Sequence, residues 1–249
     1  MRVIAKLDVK PPQVVKPVHF EGLRKIGLPE ELARAYYEQG ADEVFYVDIV
    51  ASLYRREILL DQIAATARNL LVPFAVGGGV RTVEDFTRLF HNGADKVVIN
   101  TGALGEPAII DAAARVFGSQ SVVLNVEAKR LPQGCWTCYS DCGRIPSGRD
   151  LLEWVKEAQE RGVGEILLQS VDTDGRRRGF DVELIRAVVD AVRIPVVAAS
   201  GAGSLDHILD VAKQARPSGI AVASLLHYGQ ADIGQIKRHL KHNGVEVAL

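Results

Sequence analysis

VPFAVGGG, residues 72–79, is a short apolar run that ends in three glycines, and IPVVAASGAG, residues 194–203, repeats its outline about half a chain length later. A second repeated pattern keeps the same offset. A Gly-x-x-Glu pair opens one apolar run at Gly40 and another at Gly162. We therefore expect two similar halves, about residues 1–119 and 120–249, that share one two-fold active site.

Short β-branched runs alternate with longer amphipathic runs, the pattern of βα units on a parallel sheet. Strands are predicted at residues 3–9, 44–48, 74–77, 96–100, 121–127, 166–170, 196–200 and 219–223. Helices are predicted at residues 29–39, 54–70, 82–92, 106–117, 149–161, 181–192, 204–215 and 231–242. Eight such units in 249 residues predict one α/β domain, residues 1–249, folded as a closed (β/α)8 TIM barrel. An open doubly wound sheet is the alternative, but the regular spacing and the repeat favour closure.

Composition excludes several classes of function. The chain carries 30 basic and 31 acidic side chains with no long block of one sign, so neither nucleic acid nor an anionic membrane is an expected partner. No apolar stretch approaches the roughly 20 residues that span a bilayer. Three cysteines cannot form a secreted disulfide framework. We expect a cytoplasmic protein.

Two acids end opposite strands of the predicted barrel. Asp8 closes the first strand and Glu127 the fifth, and chemistry on this fold belongs at the carboxyl ends of the strands. Two carboxyl groups that face each other across a pocket suit one acting as base and the other as acid. A strand-end acid can instead bond loop N–H groups or cap a helix. The opposed pair favours catalysis.

Glycine turns follow strands in both halves. Glycine lets the backbone approach an anion closely, although a tight βα turn often needs glycine for steric reasons alone. The symmetric placement favours two phosphate sites on opposite sides of the barrel mouth. Their expected residues are Gly79, Asn100 and Thr101 on one side and Gly201, Gly203, Ala223 and Ser224 on the other, with Asp174 and Gly175 nearby. The implied substrate is a small molecule of elongated shape that carries a phosphate-like anion at each end.

Alternation along the strands places further polar side chains inside the barrel. Arg2, Lys6 and Asp8 share one face of the first strand, and Asn125 lies beneath Glu127. A buried lysine needs a partner, so we expect Lys6 to pair with a nearby carboxylate.

Charged residues also begin four of the strands. Arg2, Glu43, Lys96 and Glu165 would form a ring of alternating sign at the amino-terminal mouth. A plug of surface ion pairs and a gate over an axial passage are both compatible with this pattern.

Cys135, Cys138 and Cys142 follow the fifth strand at short spacing. Three thiolates could hold zinc or an iron–sulfur cluster, but no fourth ligand follows. The interleaved Trp136 and Tyr139 favour a small β-hairpin, and no metal is expected.

Several motifs together resemble the cyclase subunit of imidazole glycerol phosphate synthase. They are Asp8–Lys10, Val14–Lys16, Phe20–Arg24, Val76–Val80, Gly93–Thr101, Phe117–Gln120, Gly164–Leu168, Asp172–Gly175 and Ser200–Gly203. The likeness runs in register from about residue 2 to 245, and the combination is specific to that family.

The resemblance implies a (β/α)8 barrel that takes ammonia from a separate glutaminase subunit docked at its amino-terminal face. Ammonia would pass along the axis and attack a bis-phosphorylated aminoimidazole carboxamide ribonucleotide. Cyclisation and cleavage, a lyase/cyclase reaction of histidine biosynthesis, would give imidazole glycerol phosphate and an aminoimidazole carboxamide ribotide. No cofactor is expected.

The same resemblance implies roles for individual positions. Asp8 matches one catalytic acid, and Lys16 matches the lysine of a mobile first loop. The phosphate sites match at Gly79, Asn100 and Thr101 and at Gly175, Gly203, Ala223 and Ser224. The ammonia gate matches at Arg2, Glu43, Lys96 and Glu165.

Departures from the family pattern cluster around the chemistry. Glu127 stands where the family has aspartate, Ser200 replaces a glycine, and Lys6 and Asn125 replace small or apolar residues. A paralogue that uses ammonia to form an acetamidino group on a nucleotide sugar, for surface polysaccharide or O-antigen, is therefore a second hypothesis. A non-catalytic scaffold that activates a glutaminase is a third.

Overall fold

Eight parallel strands form the centre of the molecule in the computed structural model, which describes residues 1–18, 21–54 and 57–248. The strands and helices of the first half are β1 (Arg2–Lys10), β2 (Gln13–Val18), β3 (Glu21–Gly27), α1 (Pro29–Glu38), β4 (Glu43–Asp48), α2 (Leu60–Ala67), β5 (Phe74–Gly77), α3 (Val83–His91), β6 (Lys96–Ile99), α4 (Thr101–Gly105) and α5 (Ala108–Phe117). Those of the second half are β7 (Val122–Arg130), β8 (Trp136–Ser140), β9 (Ile145–Asp150), α6 (Leu151–Arg161), β10 (Glu165–Ser170), α7 (Val182–Ala191), β11 (Val196–Ala199), α8 (Leu205–Gln214), β12 (Gly219–Val222), α9 (Ser224–His227) and α10 (Ile233–His242).

The parallel strands close into a barrel. Their order is β1-β4-β5-β6-β7-β10-β11-β12, and β12 pairs with β1 through Arg2↔Gly219 to Ala5↔Val222. β7 also pairs with β10, from Glu165↔Val123 to Ser170↔Ala128. The predicted (β/α)8 barrel is confirmed and the open sheet is excluded.

Strand alternation separates two layers of side chains. On β1, Val3, Ala5 and Leu7 pack outward into the layer between strands and helices. Ile4 faces the axis among nine buried apolar side chains contributed by most of the barrel strands. The polar side chains of Lys6 and Asp8 continue the inward face of β1 towards its carboxyl end, so they lie above the apolar layer.

Two helices begin with a hydroxyl cap. The Thr82 side chain accepts a hydrogen bond from the backbone N–H of Asp85 at the start of α3, in a capping box. Ser204 accepts from the N–H of His207 at the start of α8. These caps fix the beginnings of two helices that follow the glycine turns.

Some sequence-based boundaries were wrong. The helix predicted over 54–70 is shorter in the structure, where α2 covers Leu60–Ala67; residues 55 and 56 lie outside the described part of the chain. The first long loop contains the antiparallel ribbon of β2 and β3, which pairs with β1 at Val9↔Val14. Residues 19 and 20, the latter opening the Phe20–Arg24 motif, also lie outside the description.

Candidate active site

A solvent-open pocket of about 600 Å³ occupies the carboxyl end of the barrel. A second pocket, of about 360 Å³, adjoins it. Lys6, Asp8 and Gln169 line both, so these three side chains form the floor between two halves of one site. Asp8 and Glu127 both line the larger pocket. The structure therefore places the two predicted acids in one cavity.

Asp8 is surrounded by ammonium groups. Lys6 Nζ donates a short hydrogen bond to its Oδ1, and Lys16 Nζ lies 3.4 Å from its Oδ2. Lys16 also pairs with Asp174 at 3.5 Å, which ties the β2–β3 ribbon to the loop after β10. All four side chains are buried. Lys6 thus has the carboxylate partner that a lysine at this depth requires.

These neighbours set the charge on Asp8. Burial alone would raise its pKa, but the charges of Lys6 and Lys16 outweigh burial and hold the pKa of Asp8 below its usual value. Burial favours loss of the proton from Lys16, but the charges of Asp174 and Asp8 outweigh burial, so the pKa of Lys16 is raised. Asp8 is consequently a carboxylate throughout the neutral range.

Glu127 has a different environment. Its Oε1 accepts from Asn125 Nδ2 at 3.2 Å, and its Oε2 accepts from the backbone N–H of Gly143 at 2.7 Å. Burial raises the pKa of Glu127 to about 7, and the Gly143 N–H and the charge of Lys6 only partly oppose this rise. A carboxyl group with this pKa can hold a proton near neutral pH and give it up, as a general acid must.

The turn after β5 and the start of α4 form one side of the larger pocket. Gly78, Gly79, Asn100 and Thr101 line it. A side chain at Gly78, where φ is +112°, would collide with the backbone of Asp48, so glycine is required there. Asn100 Nδ2 donates to the carbonyl of Tyr139 at 3.1 Å, and Thr101 Oγ1 accepts from the N–H of Asp141 at 3.0 Å. The predicted phosphate residues of the first half therefore also anchor the hairpin of β8 and β9.

The smaller pocket holds the predicted phosphate residues of the second half. Its lining includes Lys16, Asp174, Gly175, Arg177, Ser200, Gly201, Ala202, Ala223 and Ser224. Gly203 does not line it: the glycine faces the backbone of Arg177, where a Cβ would collide with the carbonyl. Gly203 is thus needed to let the two loops pack closely. Its own N–H points to His207 Nδ1, 3.3 Å away.

Ser200 adopts a left-handed conformation, with φ of +72°. This backbone conformation favours glycine, and a serine there carries a steric cost of about 1 kcal/mol. Its hydroxyl donates to Asp174 Oδ1 at 3.2 Å and so helps to position the residue that binds Lys16.

Four charged side chains form a closed ring at the amino-terminal mouth. Arg2 pairs with Glu43 and Glu165, while Lys96 pairs with Glu43 at 2.8 Å and with Glu165 at 2.7 Å. Burial and the charge of Glu165 raise the pKa of Glu43 against the opposing charges of Lys96 and Arg2. Each of the two carboxylates is therefore neutralised by both Arg2 and Lys96.

Between the ring and the pocket the barrel is filled rather than hollow. The layer of side chains that crosses the axis consists of Ile4, Phe45, Ala75, Val98, Val123, Leu167, Val197, Ala199 and Ala221. An axial passage thus requires both the ring and this layer to move. An apolar layer admits a neutral molecule far more readily than an ion.

The cysteines do not meet. Cys135 is exposed, Cys138 is buried on β8, and Cys142 lies at the hairpin tip. Among the residues described, no group of three His, Cys, Asp or Glu side chains could hold a metal ion. Cys142 instead lines the larger pocket, and burial and the charges of Glu127 and Asp8 raise the pKa of its thiol. The thiol is neutral there and donates to the carbonyl of Ile49.

Gln169 and His227 were not predicted from the sequence, and for the run Arg176–Arg178 the sequence favoured neither diphosphate binding nor a solvated loop tip. Gln169 continues the inward series of Glu165 and Leu167 on β10, so alternation could have found it. Arg177, one of three consecutive arginines, lines the smaller pocket and lies over the ring of Tyr228 at 5.5 Å. His227 lies 2.7 Å from the Tyr36 hydroxyl, and burial lowers its pKa to about 4; nothing in the local sequence signals this contact.

Comparison with known proteins agrees with this geometry. A family model described as "Histidine biosynthesis protein" matches residues 2–232. The chain is 45% identical to an imidazole glycerol phosphate synthase subunit HisF of Streptococcus sanguinis, over all of this chain and 98% of the relative. Proteins of the same name match over the same shares, from Streptococcus gordonii at 44% identity and from Pyrococcus furiosus at 45%. No helix among the described residues is long and apolar enough to cross a membrane.

Proposed function

The chain belongs to the histidine biosynthesis family, among the HisF subunits of imidazole glycerol phosphate synthase, and from this premise we propose how its own residues carry out the reaction. The chain is the cyclase subunit of that synthase, an enzyme that works with a glutaminase subunit. The amidine-forming and scaffold alternatives are not favoured, because relatives that share nearly half of all residues over the full chain carry the synthase name.

The single observation that carries the proposal is the pair of acids in one pocket between two glycine-lined cradles. The substrate, a ribonucleotide with a phosphate at each end, lies across the floor formed by Lys6, Asp8 and Gln169. One phosphate binds at Gly79, Asn100 and Thr101. The other binds at Gly175, Gly201, Ala223 and Ser224, with Lys16 and Arg177 supplying positive charge.

The different environments of Asp8 and Glu127 give the two residues different roles in proton transfer. Asp8, held ionised by two lysines, accepts a proton as ammonia adds to the substrate. Glu127, protonated near neutral pH, delivers a proton as the ring closes and the ribotide leaves. The two different carboxyl environments let one pocket run both transfers.

Ammonia reaches these acids from the opposite mouth. The glutaminase docks at the amino-terminal face, where Arg2, Glu43, Lys96 and Glu165 close the entrance. When the ring and the apolar layer above it move, the layer admits neutral ammonia far more readily than ammonium. The two half-barrels, residues 1–119 and 120–249, contribute one acid and one phosphate cradle each.

Asp8→Asn tests this proposal. The variant keeps the size of the side chain but cannot accept a proton, so turnover of ammonium and the bis-phosphorylated ribonucleotide should fall by at least about 100-fold. Substrate affinity, measured by calorimetry, should stay within a few fold because both cradles are intact. Full activity in Asp8→Asn would refute the assignment of the base.

A further inference from the structure

A chain of hydrogen bonds links three buried side chains beneath the larger pocket. Gln169 Nε2 donates to Asn125 Oδ1 at 2.7 Å, and Asn125 Nδ2 donates to Glu127 Oε1 at 3.2 Å. The three side chains are exposed by only 2–4%. Asn125 and Glu127 lie on β7, while Gln169 lies on the adjacent β10, directly opposite Glu127 in the strand register.

We propose that Gln169 is a positioning residue that fixes the direction of the Asn125 amide and thereby orients the Glu127 carboxyl for proton transfer. This inference rests on the proposed function, because it assumes that Glu127 is the acid of the cyclase reaction.

The direction of the Asn125 amide follows from the donors and acceptors around it. An amide presents N–H groups at one end and a carbonyl at the other. Because Gln169 Nε2 occupies the carbonyl end, the Asn125 N–H must face Glu127. If residue 169 accepted a hydrogen bond instead, Asn125 would turn its carbonyl towards Glu127, which could then bond to it only as the protonated acid.

Hydrogen bonds hold both oxygens of the Glu127 carboxyl. The chain from Gln169 supplies one of them and so helps to fix the orientation of the carboxyl group. The Gly143 N–H binds Oε2, and the amide chain binds Oε1. With both oxygens engaged, the carboxyl cannot rotate about its last bond without breaking a buried hydrogen bond. The cost of such a loss is about 1 kcal/mol or more.

Packing alone does not explain a glutamine at this place. Leu167, two residues earlier on the same face of β10, belongs to the apolar layer, so the barrel accommodates a hydrocarbon side chain on that face. Gln169 instead lines both halves of the site, next to Lys6 and Asp8.

The charged and titratable groups that face Glu127 come from two other elements. Lys6 lies on β1 and lowers the pKa of Glu127, while Cys142, at the hairpin tip, interacts with both Glu127 and Asp8. None of them is on β10. Gln169→Met therefore leaves these charges in place and acts on Glu127 through Asn125, whereas Gln169→Glu also adds a negative charge.

Two substitutions separate orientation from packing. Gln169→Met preserves length and removes the donor, so kcat should fall about tenfold while KM stays within about twofold. Gln169→Glu reverses the hydrogen-bond direction, so the pH above which kcat declines should rise by about one unit. Ser170→Ala is the matched control, because the buried hydroxyl of Ser170, the next residue of the strand, has no hydrogen-bond partner among the described residues. It should leave both quantities unchanged.

A double-mutant cycle with Asn125→Leu tests whether Gln169 acts on Glu127 through Asn125. If Gln169 acts through Asn125, adding Gln169→Met to Asn125→Leu should change kcat no further. Additive losses would overturn the proposal, as would Gln169→Met with unchanged kcat and pH profile. Should Gln169→Met alone fail to fold, the double variant, which replaces both polar partners, still supplies the comparison with Asn125→Leu.

A measurement without substrate keeps this inference separate from the proposed function. Infrared titration of the Glu127 carboxyl should show a higher pKa in Gln169→Met than in the wild type, because the Asn125 N–H is no longer held towards Glu127, and an unchanged titration would contradict the inference. Absence of wild-type turnover together with this infrared shift would instead count against the proposed function alone.

Discussion

Asp8 and Glu127 are both buried carboxyl groups, yet their surroundings push their proton affinities apart. Asp8 contacts two ammonium groups, whereas Glu127 contacts an amide and one backbone N–H. Full charges offset the cost of burial for Asp8, and the weaker dipoles around Glu127 do not. The difference in roles therefore follows from neighbours rather than from the acids themselves.

The pKa of Glu127 predicts a pH dependence of the reaction. An acid must be protonated to act, so kcat should be constant below pH 7 and fall as pH rises through about 7. The measurement is kcat for the ammonium-dependent reaction at a constant concentration of free ammonia. Because the Asp8 carboxylate stays ionised in this range, a rising limb between pH 6 and 8 at constant free ammonia would contradict the assignment.

Glu127, which the reaction needs, should lower the stability of the folded protein when it is ionised. Its pKa is raised on folding, so ionisation favours the unfolded chain, and stability is lost as pH rises above the ordinary glutamate value. Glu127→Gln should therefore increase the free energy of unfolding at pH 8 by up to about 3 kcal/mol and abolish turnover. Denaturant titrations of both proteins at pH 5 and pH 8 test this, since the gain should nearly vanish at the lower pH.

At the scale of elements, the hairpin of β8 and β9 connects a phosphate cradle to Glu127. Its tip contains three consecutive residues with positive φ, Asp141 at 50°, Cys142 at 58° and Gly143 at 69°. This strained turn aims the Gly143 N–H at Glu127, and Asn100 and Thr101 hold the hairpin in place. Strain of this kind persists only where surrounding contacts enforce it.

Two glycine substitutions in this hairpin should have different effects. Gly143→Ala and Gly148→Ala both place a side chain at positive φ, and each should destabilise the protein by about 1 kcal/mol. Only Gly143→Ala should lower kcat, because the Gly143 N–H binds Glu127, whereas a Cβ at Gly148 would meet no atom of the described residues within 4 Å. Steady-state kinetics with thermal melts would distinguish them, and equal kcat values would show that the tip does not position Glu127.

The barrel strands were predictable because their signal is local and regular. Apolar runs bounded by glycine, with charged residues at their starts, gave seven of the eight parallel strands to within about two residues at each end, while β7 continues three residues further, to Arg130, into the hairpin. The β2–β3 ribbon was missed because its sequence lacks a clear alternation, contains Pro17 and follows two further prolines. Alternation found Lys6 and Asn125, but the contacts of Arg177 and His227 depend on distant loops that a local pattern does not reveal.

At the scale of the whole molecule, chemical layers follow one another along the barrel axis. The ion-pair ring comes first, then nine apolar side chains, then the polar floor, and finally the two cradles. Each layer forms because the inward-facing residues of neighbouring strands lie at similar heights along the barrel axis. The sequence repeat predicted the two cradles, the charges at the strand starts predicted the ring, and alternation predicted polar side chains beneath the acids. The filling of the axis became apparent only from side-chain packing.

The ring predicts a measurable cost for removing one cation. Lys96→Met leaves Glu43 and Glu165 facing each other with only Arg2 between them, so the free energy of unfolding should fall by about 3 kcal/mol. Arg34→Met, which breaks an exposed pair with Glu38, should leave the free energy of unfolding nearly unchanged. Denaturant titration measures both, and equal small losses would mean that the ring is only a surface network.

The central claim is that this barrel adds ammonia to a doubly phosphorylated ribonucleotide, and isotope labelling tests it most directly. The purified chain is supplied with ¹⁵N-ammonium and the histidine-pathway ribonucleotide, and the products are analysed by mass spectrometry and NMR. We predict ¹⁵N in the ring of imidazole glycerol phosphate and none in the ribotide that is released. Unlabelled products, or no turnover by a folded chain that binds the ribonucleotide, would contradict the account.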